Sequence, residues 1–240
     1  MSVSHSPHSA SQLTPALIWL GFKQLFPISL FVVAFGMAFG LAATQEGLSD
    51  ASIYLMSASV FAGAAQFAAL DMWGDQLPLA ALLITVFAIN ARHLLMGASL
   101  YPWLSQLPPA KRYGVMLVAS DANWAMAIQA LNFGKPGLGL LFGGGLALWS
   151  AWLIGTWLGV VFGSAIADPS ALGLDVVLPC FLLTMVVGAK TDLRMAAIWA
   201  AAAGVSLFAF YFLPDNTHVV LGAIAGGLVG VVWPEKSDEH

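Results

Sequence analysis

Three ionisable side chains stand where an apolar chain should carry none. Arg92 and His93 fall within Asn90-Ala91-Arg92-His93-Leu94-Leu95-Met96-Gly97, and Asp121 within Ala119-Ser120-Asp121-Ala122-Asn123-Trp124. A charge at the centre of a bilayer costs about 2.5–3.5 kcal/mol on insertion scales, so such residues face a cavity or a partner and mark function by default. Arg92 cannot lose its charge and therefore needs an anion. Asp121, the only carboxylate inside an apolar segment, is the natural protein partner. Two roles stay open. The pair orients two helices, or the pair (or one of its members) meets a zwitterionic solute, with guanidinium on an α-carboxylate and carboxylate on an α-ammonium. His93 lies about 100° round the helix from Arg92. It is a candidate proton carrier, because imidazole titrates near neutrality, and equally a hydrogen-bonded core histidine. Gln66, in Gly63-Ala64-Ala65-Gln66-Phe67, follows small residues that suit a close approach to a solute or a helix break. A helix–helix hydrogen bond is the competing role. With Asn90 and Asn123 from the two charged strings, Gln66, Arg92, His93 and Asp121 form the candidate substrate-binding or coupling set. Neither a catalytic residue, a metal site nor a cofactor is expected.

The elements that must hold these groups are membrane helices. Of the 240 residues 60% are hydrophobic and 8% charged, with a mean hydropathy of +0.86, against about 25% charged in a soluble domain. So few charges cannot cover a water-facing surface, and lipid must meet most of the exterior. With roughly 20 apolar residues per crossing, the chain accommodates about six to eight segments in one domain. They run from Leu17 to Ala43, Ala51 to Leu70, Leu77 to Leu100, Gly114 to Leu131, Leu138 to Ala165, Asp175 to Ala189, Leu193 to Leu213 and His218 to Trp233. None alternates like a barrel strand, so the fold class is all-α, a polytopic transmembrane helix bundle. Residues 1–16 read as a disordered polar tail, in which His5 and His8 are solvated, 17–233 as a single transmembrane domain and 234–240 as a polar tail. The net charge of −4 and the lack of a basic run exclude nucleic acid as a partner. Cys180 is the single cysteine, which excludes an intrachain disulfide and a cysteine metal cluster.

Charge separates the breaks into two kinds. Glu46–Asp50, Asp71–Asp75, Asp168–Asp175 and Asp215 carry no Lys or Arg, whereas Lys111–Arg112, Lys135, Lys190–Arg194 and Lys236 carry the positive charge. Basic breaks belong on the cytoplasmic side. Eight plain spans with an internal N-terminus put Lys111 and Arg112 outside. The conflict disappears if Ala51 to Leu70 and Gly114 to Leu131 are broken or re-entrant segments that return to the side they entered. Both termini are then cytoplasmic and six segments span. Those two segments carry Gln66 and Asp121, and broken helices meeting at the midplane are a recurring way to build a transporter site. Labelling of a cysteine at position 111 from outside intact cells excludes this arrangement in favour of eight plain spans.

Small residues recur every fourth position at Gly36–Gly40, Gly155–Gly159–Gly163 and Gly222–Gly226–Gly230, rows that let membrane helices approach closely. Pro27 and Pro179 each remove a backbone hydrogen bond and predict a kink. Trp73, Tyr101, Trp103 and Trp233 fit interfacial belts. Trp149, Trp152 and Trp157 lie deeper, where packing or lipid contact explains them better than a substrate cage.

The strings Gly63-Ala64-Ala65-Gln66-Phe67, Arg92-His93-Leu94-Leu95-Met96-Gly97 and the Ser120-Asp121 region together resemble the AzlC family, the large subunits of bacterial branched-chain amino-acid exporters. Their order and spacing match, and the resemblance covers roughly Leu17 to Trp233. One departure stands out: the family often has an Asp-Glu pair where this chain has Asp121-Ala122, which puts in doubt any role for the second carboxylate. The resemblance implies export of branched-chain, small hydrophobic amino acids across the bacterial cytoplasmic membrane, driven by the proton gradient. It also implies a small hydrophobic membrane subunit of the AzlD type as partner.

Other function classes are weaker. No Gly-x-x-x-x-Gly-Lys-Ser/Thr string is present, so ATP hydrolysis by that route is excluded. A hydrolase built on His93 and Ser99 lacks the small-residue turn around the serine, Leu100 standing where a Gly-x-Ser-x-Gly-like turn needs glycine. A channel or receptor for a small zwitterionic solute differs from a transporter in its flux: a channel conducts downhill without coupling, and a receptor moves nothing.

Overall fold

The computed structural model describes residues 12–74, 77–163, 183, 192–213 and 217–233. The expectations for residues 1–11 of the N-terminal tail, for the C-terminal tail, for Asp175 to Ala189 apart from residue 183, and for Pro179 and Cys180 lie outside the described residues, while Pro15 and Ala16, expected in the tail, are the first residues of a helix. Every regular element among the described residues is helical: α1 (Pro15–Gln45), α2 (Asp50–Ser59), α3 (Gly63–Asp71), α4 (Leu79–Asn90), α5 (Arg92–Leu104), α6 (Pro109–Leu117), α7 (Asp121–Asn132), α8 (Leu138–Gly163), α9 (Leu193–Phe212) and α10 (Thr217–Val232). Four stretches among them are long and apolar enough to cross a membrane, namely Pro15–Gln45, Leu79–Leu104, Leu138–Gly163 and Leu193–Phe212.

Local chemistry explains the boundaries. Thr14 caps α1 by accepting the Leu17 N–H at 3.3 Å, and Pro15 occupies the first turn, where a missing N–H costs nothing. Pro27 lies within this helix, which runs on to Gln45. After Glu46, Gly47 takes φ +76°, a left-handed conformation suited to glycine at a helix end. At 31 residues, α1 is about 46 Å long, more than a hydrocarbon core about 30 Å thick requires.

Both segments made suspect by charge are interrupted. Helix α2 stops at Ser59 and α3 starts at Gly63; α6 stops at Leu117 and α7 starts at Asp121. The Leu77 to Leu100 segment, expected as one helix, also changes helix at Ala91, between α4 and α5. All three interruptions sit beside the candidate polar residues.

The chain divides into two compact units, one of Met1–Leu70 with Asn90–Val177 and the other of Asp71–Ile89 with Leu178–His240. In the first, α1 and α8 lie backbone to backbone along two of the glycine rows. A Cβ on Gly36 would stand 2.6 Å from the Trp152 carbonyl oxygen, one on Gly159 2.8 Å from the Leu41 nitrogen, and one on Gly155 3.0 Å from the Met37 nitrogen. These rows therefore serve internal packing. Helix α8 is buried on most of its surface, its glycines and alanines admitting neighbours on several sides. A core of Leu100, Leu104, Val115, Ala127, Leu131, Leu138 and Leu141 joins α5, α6, α7 and α8.

In the second unit the third glycine row packs α10 on α9. A Cβ on Gly222 would lie 3.0 Å from the Ala202 carbonyl oxygen, and one on Gly226 3.2 Å from the Ala202 Cβ. Arg194 donates to the carbonyls of Gly230, at 2.9 Å, and Trp233. It thereby satisfies the last carbonyls of α10 and complements their partial negative charge.

Candidate functional site

The charged pair forms between two helix starts. Arg92 is the first residue of α5 and Asp121 the first of α7. Arg92 Nη1 donates to Asp121 Oδ2 at 2.5 Å, and each side chain keeps 35% exposure. A carboxylate is favoured at a helix N-terminus and a cation is disfavoured there. Asp121 thus suits its place, and it offsets the unfavourable place of Arg92, whose helix has no side-chain cap. The contact is single, since Arg92 Nε is buried without a hydrogen-bond partner. A guanidinium so held retains donors for a second anion.

Asn123 fixes the start of α7. Its Oδ1 accepts from the Ser120 backbone N–H at 2.6 Å and from Ser120 Oγ at 2.9 Å. Its Nδ2 donates to the carbonyls of Val118 and Leu141, both at 2.8 Å. Fully buried and engaged at both ends of its amide, Asn123 closes the 118–120 break and ties it to α8, which sets the place of Asp121 two residues earlier. Replacing it with Leu removes the Asn123 partner of the Val118 carbonyl and of the Ser120 N–H, while the Leu141 carbonyl keeps its bond within α8. The expected loss is about 2–6 kcal/mol, from roughly 1–3 kcal/mol for each of the two unsatisfied groups, measured as a lower unfolding temperature in detergent. A stability equal to wild type refutes the positioning role.

His93 Nδ1 lies 3.2 Å from the Asn90 carbonyl oxygen. Because a carbonyl only accepts, Nδ1 is the donor in that bond. Asn90 itself has a buried Oδ1 without a partner. Ser99 Oγ donates to the Met96 carbonyl at 2.8 Å and accepts from Trp124 Nε1 at 2.9 Å. Its hydroxyl proton is thus held by a carbonyl and not by His93.

Gln66 belongs to a different cluster. Its Nε2 donates to Ser57 Oγ across the α2–α3 break at 3.5 Å, and Ser57 Oγ lies 2.9 Å from Thr156 Oγ1 on α8. All three side chains have no exposed surface. Trp152 packs on Phe35 and Phe39, with ring centroids 5.3 and 5.6 Å away, while Trp149 Nε1 donates to the Ala58 carbonyl at 3.2 Å. Ser57 and Thr156 went unnoticed in the sequence, because a hydroxyl inside a membrane helix is commonplace and usually bonds to its own helix. Neither shows its partner until α2 and α8 are placed together.

Residues 27–166 match the family model described as AzlC protein. Inner membrane protein YgaZ of Escherichia coli (strain K12) is 31% identical over 91% of this chain and 93% of its own length. A membrane protein of Archaeoglobus fulgidus is 29% identical over 93% of this chain and 95% of its own. The branched-chain amino acid transport protein AzlC of Bacillus subtilis (strain 168) is 27% identical over 70% of this chain and 67% of its own. No solved structure matches the chain.

Proposed function

Because the chain belongs to the AzlC family of membrane proteins, we propose that it is the large subunit of a secondary transporter that exports branched-chain amino acids across the cytoplasmic membrane, coupled to protons. The observation that carries the assignment of a site is the Arg92–Asp121 pair, a single contact between two helix starts with Arg92 Nε left over. A zwitterion has one group for each member of such a pair. The aliphatic side chain would sit among Leu, Met, Phe and small residues of the surrounding helices. His93, with one ring nitrogen committed to the Asn90 carbonyl, is assigned to proton transfer through the other. Asn90 and Asn123 complete the set around the pair, Asn123 by holding Asp121 in place, while Gln66, the remaining candidate, lies in the separate cluster with Ser57 and Thr156.

The family likeness to a transport protein supports a small hydrophobic subunit of the AzlD type as partner, in a bacterial inner membrane. For the topology we favour one transmembrane domain over 17–233 with polar tails on either side, both termini cytoplasmic, six crossings, and re-entrant segments at 51–70 and 114–131. The interruptions at residues 60–62 and 118–120 support it.

Efflux of labelled leucine, isoleucine, valine and methionine from preloaded cells, with and without the partner gene, tests the function. The expected result is export above background that needs both genes and falls when the proton gradient is collapsed. Downhill flux indifferent to the gradient points to a channel, and no flux of any of the four sinks the assignment.

A further inference from the structure

Helices α5 and α7 start together at the charged pair and run side by side into one apolar core. Arg92 and Asp121 are their first residues. Leu100 and Leu104 of α5, with Ala127 and Leu131 of α7, all in the second halves of their helices, lie buried in the same cluster. Between the pair and that core stands a further link. Trp124 Nε1 donates to Ser99 Oγ at 2.9 Å, and Ser99 Oγ donates to the Met96 carbonyl at 2.8 Å. Ser99 lies seven residues along α5 from Arg92, about 10.5 Å away and on the same face. Trp124 is three residues on from Asp121, the neighbouring position on the surface of α7. Two rungs thus join the facing sides of the two helices, one ionic and one neutral.

The neutral rung is well made where the ionic one is not. Ser99 Oγ serves as donor and as acceptor, and the indole N–H meets it at an ordinary length. The ring of Trp124 packs against the apolar core, which holds the side chain that presents this nitrogen. The ionic rung is a single contact with Arg92 Nε left over. A zwitterion that takes the guanidinium with its carboxylate and Asp121 with its ammonium replaces the direct attraction between the two residues. The pair then no longer draws the two helix starts together. An indole N–H and a hydroxyl in apolar segments find no other partner in lipid, so the neutral rung persists through that exchange.

We propose that Ser99 and Trp124 are positioning residues. Their bond fixes the spacing of α5 and α7, so that both helix starts stay within reach of one head group once the solute has come between Arg92 and Asp121. The inference rests on the reading of that pair as the solute site. Neither residue needs to touch the solute, since both act through the pair. Ser99, whose hydroxyl proton goes to a carbonyl and not to His93, thus has a mechanical task in place of a chemical one.

Binding of labelled leucine to the purified full-length protein tests this, with thermal unfolding alongside. Ser99→Ala and Trp124→Phe each remove the bond while keeping most of the packing. Each weakens leucine binding about 3–10-fold, the range of an interhelical hydrogen bond in a membrane protein, and the double variant weakens it no further. Ser99→Thr keeps the hydroxyl and stays within about twofold of wild type. In proteoliposomes the loss is a raised KM at unchanged kcat, a split that a general loosening of the fold does not produce. Unaltered affinity in both single variants, additive losses in the double, or no recovery in Ser99→Thr overturns the proposal. A measurement without leucine separates it from the solute reading: the double-mutant cycle of Arg92→Gln and Asp121→Asn on unfolding, repeated in Ser99→Ala. The coupling within the pair falls there if the neutral rung sets its spacing, and an unchanged coupling overturns the proposal. A wild-type protein that binds no leucine, with the coupling falling as stated, sinks the solute reading and leaves the positioning of the pair standing.

Discussion

Arg92→Gln and Asp121→Asn each lower leucine efflux by roughly 100-fold, and the double variant recovers stability without recovering efflux. Each single change leaves an unpaired polar or charged group in a membrane protein. Breaking a fully buried pair costs about 3–5 kcal/mol, and the loss here is smaller because both side chains keep 35% exposure. The two singles lose the attraction once and expose its partner; the double loses it once and exposes nothing. Stability therefore shows a coupling energy of about 1–3 kcal/mol in a double-mutant cycle. Efflux shows none, because a zwitterion with neither a guanidinium nor a carboxylate to meet is lost as a substrate. Exchanging the two residues separates the roles further: Arg92→Asp with Asp121→Arg restores the ion pair but puts the carboxylate at the start of α5 and the guanidinium at the start of α7. Unfolding temperature in detergent and efflux rate are the two measurements. If the double or the exchanged variant exports at the wild-type rate, the pair is structural only.

Gly159→Leu and Gly36→Leu are expected to damage folding of the first unit severely. Overpacking in a well-packed core costs about 1–3 kcal/mol where side chains can give way. Here the colliding atoms are backbone, the Leu41 nitrogen at 2.8 Å and the Trp152 carbonyl oxygen at 2.6 Å from the built Cβ positions. The helices must separate, and the loss is expected to exceed about 3 kcal/mol. Gly204→Leu is the matched control, since a Cβ there meets nothing within 4 Å. Thermal unfolding and yield in detergent separate the outcomes; equal losses at Gly159 and Gly204 contradict the backbone-to-backbone account of α1 and α8.

Much of this architecture was legible in the residues, and the limits have physical causes. The all-helical fold follows from composition, because lipid leaves few alternatives to a backbone that bonds within its own segment. The glycine rows predicted close helix contacts, and the structure pairs the first two with each other and packs the third on α9. What they cannot show is which row meets which, since a small residue admits any backbone. The interruptions beside Gln66 and Asp121 were foreshadowed by charge placement, whereas the change of helix at Ala91 was not, although Asn90, Arg92 and His93 flank it: no Gly or Pro marks the place, and the three polar residues read as ligands inside one continuous helix. Arg92 and Asp121 were expected to meet because each needed a counter-charge and few were available. Asn123, by contrast, was picked out as polar, and only the fold reveals that its amide is occupied at both ends by the protein. The hydroxyls of Ser57 and Thr156 required two helices to be brought together before either meant anything.

The union of α1 with α8 also has a consequence in time. Residues 46–137 must be synthesised between the end of one and the start of the other, which at about 5–20 residues per second takes on the order of 5–20 s. For that interval α1 stands in the bilayer with its glycine groove open. Being very apolar along its length, it is stable there alone, but its shape is unmatched until α8 arrives. The principal contact of the first unit is therefore made late, between distant parts of the chain, and a chain that stalls before residue 138 presents that groove to any neighbouring helix with small residues of its own.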